Sequence, residues 1–325
     1  MLLQVEHRLA FDYDSYISES FLELRLQPKT SPHQTLYSFV LAVGPPTRIF
    51  RYRDWNENVA HHFTIIKYHK NIDVVARSLV ETSPRYPGAA SAAGATSPSE
   101  IPYAAQDFLA FGGPVQLGAA LTKFHRAVKL APKAPVGEQV RSLSDHLHAH
   151  LTYQKHVTRY DSTTEDFLKA GAGVCQDFSH LMLGLLRLRK IPCRYVSGYL
   201  HVERRDGEAA QSHAWIEFYV AGQGWVPFDP THNREIDERY IVVGHGRHYN
   251  DVPPNRGIFR GNAREVLKAE VHTRPASAQG ISAVHEEMQQ IDLPVFQEIP
   301  DRGDGRPSIH IEAPGADQQQ QQQQA

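Results

Sequence analysis

Apolar and polar positions alternate along the first eighty residues. Residues 4–13, 20–27, 34–43 and 59–68 are rich in β-branched and aromatic side chains at a period near two, the spacing of half-buried strands. Turn signals separate them: Pro28 to Pro32, Gly44-Pro45-Pro46, and Asp54-Trp55-Asn56-Glu57-Asn58. Four or five strands at such short spacing predict an antiparallel, sandwich-like β module. A stretch rich in small residues and proline, 83–106, reads as a linker. The period then lengthens to between three and four, predicting helices over about 115–130 and 136–151, the second carried by Val140, Leu143, Leu147 and Leu151. A third helix is expected after the glycines at 171–173. Its broad apolar stripe, Phe178, Leu181, Met182, Leu185, Leu186 and Leu188, predicts a buried element, and Pro192 marks its end.

Strand patterning resumes at 193–200, 212–220 and 223–228, the last two forming a hairpin around Ala221-Gly222-Gln223-Gly224, with further pieces at 239–243 and 266–271. Helices, then a buried helix, then an antiparallel sheet make an α+β arrangement. Beyond 274 the chain loses its core-forming character and ends in a glutamine run. The expected division is a β module at 1–82, a linker at 83–106, an α+β domain at 107–273 and a disordered tail at 274–325.

Composition narrows the function classes. A formal net charge of −2 over 325 residues gives no electrostatic reason to expect nucleic acid or an anionic membrane as partner. No apolar run approaches the length of a spanning helix, and the N-terminus has no signal-peptide pattern, so a cytoplasmic location is expected. Two cysteines, Cys175 and Cys193, imply no disulfide framework. Nineteen histidines should make the surface more basic on mild acidification.

The candidate chemistry centres on Cys175, in Gly171-Ala172-Gly173-Val174-Cys175-Gln176-Asp177. A thiol at the mouth of a helix meets unpaired N–H groups and the positive end of the helix dipole, which favour the thiolate. His213 begins a strand and can act as base. Asp229 ends the neighbouring strand and can hold the far ring nitrogen. With the hairpin turn near 221–224, facing residues have indices summing to about 445. His213 and Asp229 are then offset by some three residues, which permits their contact without requiring it.

The Cys175 amide is the natural first oxyanion donor. Tyr153 is a candidate for a second donor or a substrate wall, and Trp215 for a groove wall in contact with substrate or a core residue. Asp177 and Gln176 sit in the first helical turn and read as capping groups, while His180 and Cys193 read as packed core residues. The pairs His146/His150 and His245/His248 raise the rival of a zinc site, but neither brings further ligands at usual spacing, so no metal or cofactor is expected.

The blocks Gly173-Val-Cys-Gln-Asp-Phe-Ser-His-Leu-Met182, Ile191-Pro-Cys-Arg-Tyr-Val-Ser-Gly-Tyr-Leu200, Ser212-His-Ala-Trp-Ile-Glu217 and Gly224-Trp-Val-Pro-Phe-Asp-Pro-Thr231 resemble the transglutaminase-like superfamily. More narrowly, the chain resembles bacterial transglutaminase-like proteins with an N-terminal β module, a likeness shared by Asp54-Trp-Asn-Glu-Asn58 and by 246–254. It covers about residues 1–270. Cys193 and His248 depart from the pattern expected of the group, outside the triad blocks. The resemblance implies a papain-like core with Cys175 as nucleophile, His213 as base and Asp229 as orienter. It also implies acyl transfer on a peptide or protein substrate, as peptidase, amidase or cross-linking transamidase. No acidic cluster of the calcium-dependent members is present, so calcium is not expected. Hydrolysis is favoured over transamidation, with a non-catalytic peptide-binding scaffold as the alternative from another class.

Overall fold

The computed structural model describes residues 1–83, 88, 101–130, 134–202, 212–276, 291, 293, 295–298 and 309–312. Most of the expected linker and the glutamine run lie outside these. The chain divides into two compact units, one formed by Met1–Thr82, His201–Gln211 and Pro254–Ala325, the other by Ser83–Leu200 and Ser212–Pro253.

The first unit begins with six strands: β1 (Leu2–Ile17), β2 (Glu19–Leu24), β3 (Gln34–Gly44), β4 (Ile49–Arg53), β5 (Val59–Ile65) and β6 (His69–Thr82). Alternation along β1 buries Leu9 and Phe11 while Arg8, Asp12 and Asp14 stay exposed, the period-two pattern of a sheet with one face in the core.

The second unit contains α1 (Tyr103–Gln106), α2 (Ala119–Ala127), α3 (Val136–His150), β7 (Thr152–Tyr153), α4 (Thr164–Ala170), β8 (Ala172–Gly173) and α5 (Cys175–Leu188). The strands β9 (Cys193–Leu200), β10 (Ser212–Val220), β11 (Gly224–Asp229), β12 (Arg234–Glu235) and β13 (Tyr240–Gly246) follow. These last five form one antiparallel sheet in the order β12-β11-β10-β9-β13. The apolar face of α5 packs on it: Leu181, Met182 and Leu185 share a core with Ala214, Ile216 and Phe218. Val140, Leu143 and Leu147 of α3 close the other side of the same core. Cys193 is buried and donates its S–H to the Leu183 carbonyl at 3.4 Å; burial pushes this thiol up to about 11. It is the core residue the pattern implied.

After Pro253 the chain returns to the first unit as β14 (Asn255–Arg260) and β15 (Glu265–Pro275), followed by β16 (Val295–Glu298) and β17 (Ile309–Glu312). Its two sheets run β15-β1-β6-β3-β16-β17 and β14-β2-β5-β4. Leu9, Phe11 and Val74 from one and Leu22, Phe63 and Ile65 from the other meet in a common core, the expected sandwich.

Two expected boundaries change. The strand expected at 266–271 belongs to β15, which pairs with β1 from Leu3↔Pro275 to Tyr13↔Glu265, so the α+β unit ends at Pro253 rather than 273. The physical reason is the unpaired edge that β1 would otherwise present. The tail beyond 274, expected to be disordered, contributes β16 and β17, which pair with each other, and β16 adds to β3 through Val295↔Ala42 and Phe296↔Leu41.

Histidines are not all surface bases. His7, His61 and His180 are buried, and desolvation drops them to about 4, about 3 and about 3. Because these folded-state values lie below that of the unfolded chain, each contributes stability that is complete above about pH 6.5 and is lost as the pH falls. Urea midpoints are therefore expected to drop between about pH 6.5 and 4, each histidine forfeiting on the order of 2 kcal/mol by pH 5. A midpoint that stays flat across that range would contradict it.

Candidate functional site

Cys175 is the first residue of α5, and three local features fix its position. Gly171 ends α4 with φ +72°, a left-handed conformation that glycine adopts without strain. At Gly173 a Cβ would meet Asp177 Oδ2 at 2.5 Å and Phe167 Cδ2 at 2.9 Å, so only glycine lets the turn lie this close. Asp177 then ties the turn together, its Oδ2 accepting from the Val174 N–H at 2.7 Å and from the Thr158 hydroxyl at 2.6 Å. This is the capping role expected of it, although burial also raises its pKa.

The adjacent Gln176 donates through Nε2 to the Tyr160 carbonyl at 2.8 Å. Two successive residues of the first helical turn thus hold the segment 154–163 against the thiol-bearing end of the helix. Parallel pairing of β7 with β8, Tyr153 opposite Gly173, brings Tyr153 beside the same turn. Burial and the neighbouring Cys175 charge both raise its phenol pKa, and the residue is 47% exposed.

His213 lies at the start of β10. Its Nε2 is 2.8 Å from Asp229 Oδ2, and Cys175 also acts on the ring. Burial alone would lower this imidazole; hydrogen bonds and charge from Asp229 and Cys175 outweigh it and hold the group at about 10.

The register explains why histidine and aspartate meet. β10 and β11 pair as Val220↔Gly224 and Ile216↔Phe228, indices summing to 444. The turn is Ala221-Gly222-Gln223, with Gly222 and Gly224 at φ +79° and +84°. That sum is one less than the sequence estimate, and in a sheet one residue exchanges faces. Asp229 consequently falls diagonal to His213 on the same face at an offset of two.

Asp229 is fully buried. Oδ2 accepts from His213, from His232 Nδ1 at 2.6 Å and from the Tyr240 hydroxyl at 2.7 Å. Oδ1 accepts the Thr231 N–H at 2.8 Å and the His232 N–H at 3.3 Å. Burial would favour the neutral acid, but these donors and the two imidazoles hold the carboxyl far below its ordinary range. His232 and Tyr240 did not emerge from the sequence reading. The adjacency of His232 to the Asp229-Pro230-Thr231 turn was the available signal.

Of the two readings of Trp215, groove wall or core, the structure shows the core residue. It is fully buried, stacks on His213 with centroids 6.0 Å apart and meets Tyr240 edge-on. It backs the imidazole and does not face solvent. Gly198 makes room for it, since a Cβ there would come within 2.6 Å of Trp215 and 2.0 Å of the Ile241 carbonyl.

His180 is buried one turn beyond the thiol, its Nε2 accepting the Tyr249 N–H at 3.1 Å; it packs on Tyr195, as expected of a core histidine. His146 and His150 lie with ring centroids 4.1 Å apart and tilted by 44°, and His245 Nε2 lies 3.0 Å from Arg194. Neither histidine pair joins a ligand cluster among the described residues. The group whose ligand atoms do lie within 4.8 Å of one another is His213, Asp229 and His232.

The sequence matches two family models: the transglutaminase-like superfamily over residues 123–230, and the bacterial transglutaminase-like N-terminal region over residues 3–81. An uncharacterized protein of Mycobacterium tuberculosis is 30% identical over 298 residues, covering 86% of this chain and 95% of its own length. One of Mycobacterium leprae is 32% identical over 286 residues, covering 82% and 95%. A protein-glutamine gamma-glutamyltransferase of Pseudomonas aeruginosa is 27% identical over 121 residues, 34% of this chain and 18% of that protein. In structure, a candidate cysteine protease from Cytophaga hutchinsonii superposes with a TM-score of 0.72 at 18% identity, over 85% of this chain and 92% of that one. Both halves of the described architecture thus have matching families, and the chain belongs to the transglutaminase-like superfamily, in the form that carries the bacterial transglutaminase-like N-terminal region.

Proposed function

We propose that this protein is a cysteine-nucleophile acyl-transfer enzyme acting on peptide or amide bonds, with Cys175 as nucleophile, His213 as general base and acid, and Asp229 as orienter. The observation that carries the reading is the hydrogen bond from His213 Nε2 to the buried Asp229 carboxylate, with Cys175, at the head of a buried helix, acting on the same imidazole. The Cys175 thiolate adds to the carbonyl carbon. The oxyanion so formed is met by the Cys175 amide, one of the first N–H groups of a helix and therefore without an intrahelical acceptor. Collapse expels the amine, which takes its proton from the His213 imidazolium, and leaves a thioester on Cys175. Neutral His213 then removes a proton from water as the water adds to the thioester; the acid is released and the thiolate–imidazolium pair restored. Tyr153 forms a wall beside the acyl group.

Hydrolysis is the favoured outcome because water needs no dedicated site. The relative named as a protein-glutamine gamma-glutamyltransferase supports a second reading, in which a primary amine takes the place of water. Incubation with p-nitrophenyl acetate followed by mass spectrometry of tryptic fragments is expected to find acetyl on Cys175. Turnover that accelerates with added primary amine, giving the amide, would favour transfer. Label absent from Cys175 would defeat the whole reading.

A further inference from the structure

The carboxylate of Asp229 carries more donors than a base-orienting pair requires. Held ionised, it can only accept, so His213 Nε2 and His232 Nδ1 must each present a proton to the same oxygen, Oδ2, with the Tyr240 hydroxyl as a third. Tyr240 in turn accepts from Arg234 Nε at 2.9 Å, which strengthens it as a donor. His213 is buried, whereas the His232 side chain is 44% exposed, and the two rings have centroids 5.2 Å apart. One carboxylate oxygen is thus divided between a buried imidazole facing the thiol and one reaching solvent.

We propose that His232 is a positioning residue that moderates the Asp229–His213 couple, drawing part of the Oδ2 charge away from His213 so that the imidazolium is held but can still release its proton. This rests on the triad reading above. A carboxylate serving His213 alone would keep the imidazolium too strongly. The acyl-enzyme would then wait for a neutral base until higher pH. Sharing the oxygen trades some ion-pair stability for turnover.

The other polar groups around His232 do not take over this task. On β10 and β11 they are His213 and Asp229 themselves, and on β13 and β12 they are Tyr240 and Arg234. From α3, Asp145 bonds the Asn233 amide and His148 the Pro230 carbonyl, so both brace the turn that carries His232 and neither bonds the Asp229 carboxylate.

The test uses two readouts that a merely structural defect would lower together. The first is the rate of Cys175 alkylation by iodoacetamide against pH, which follows the thiolate. The second is steady-state deacylation after the p-nitrophenyl acetate burst, which follows the neutral imidazole. In His232→Ala the acid limb of deacylation is expected to move to higher pH by about one unit, while that of alkylation stays in place because His213 is already protonated there. At fixed pH on the deacylation limb this is a loss of about tenfold. His232→Asn, whose amide supplies an N–H at nearly the same place, should restore that limb.

Both limbs unchanged, both rates lowered, or no restoration by asparagine would each overturn the proposal. A wild-type protein with no low-pH alkylation limb and no burst would overturn the triad reading itself, an outcome visible before any variant is compared.

Discussion

Cys175→Ala is expected to abolish the acyl burst and to lower turnover of an activated ester by at least about 10³-fold, leaving the fold intact. The thiol is half-buried and the change removes one atom, so unfolding midpoints should stay close to wild type. The second cysteine makes the experiment clean. Cys193 is buried at the start of β9, against α5, and its raised pKa keeps it protonated at neutral pH. Alkylation of the native protein therefore reports Cys175 alone and should vanish in the variant. Activity that survives the substitution would remove the nucleophile from the mechanism.

Asp229 is expected to give the second large effect, in activity and stability at once. Asp229→Asn keeps the volume and removes the charge, so nothing fixes His213 with its proton on Nε2 or stabilises the imidazolium; a loss of about 10³- to 10⁴-fold in turnover is expected. Asp229→Ala also strands the buried donors on His213 and Tyr240 and should cost about 3–5 kcal/mol in urea unfolding.

The pH dependence of that cost has a definite sign. Asp229, held below its unfolded value, contributes stability above about pH 4 and loses it as the pH falls further. His213, held up at about 10, contributes in full below about pH 6.5 and loses its share as the pH climbs from there to about 10. Wild type should therefore lose stability across that alkaline window, and Asp229→Ala should not. Parallel alkaline profiles for the two proteins would show that the pair does not stabilise the folded state.

The core of the site was legible in the sequence because its parts are local. Glycines before a cysteine at a helix mouth, a histidine opening a strand and an aspartate closing the next one are short-range patterns. The hairpin between them leaves few registers. What periodicity could not supply was the face: with three turn residues and not four, Asp229 moves across the sheet to the side of His213. The choice between groove wall and core for Trp215 stayed open for a related reason. Alternation places it on the same face as His213, but only the closeness of Gly198 and Tyr240 shows that this part of the face is covered. The return of β15 to β1 joins residues some 250 positions apart in sequence, a pairing set by which edges remain open and not by any local signal.

The segment 154–163 is fastened to the first turn of α5 by Thr158 on Asp177 and by Gln176 on the Tyr160 carbonyl. Asp177 also holds the Val174 amide, directly before the cysteine. The segment and the residue leading into the thiol thus share one carboxylate. On the function proposed above, a substrate that displaced 154–163 would pull on the same group that sets the direction of the thiol, so discrimination between substrates would show itself in the rate of acylation as well as in affinity.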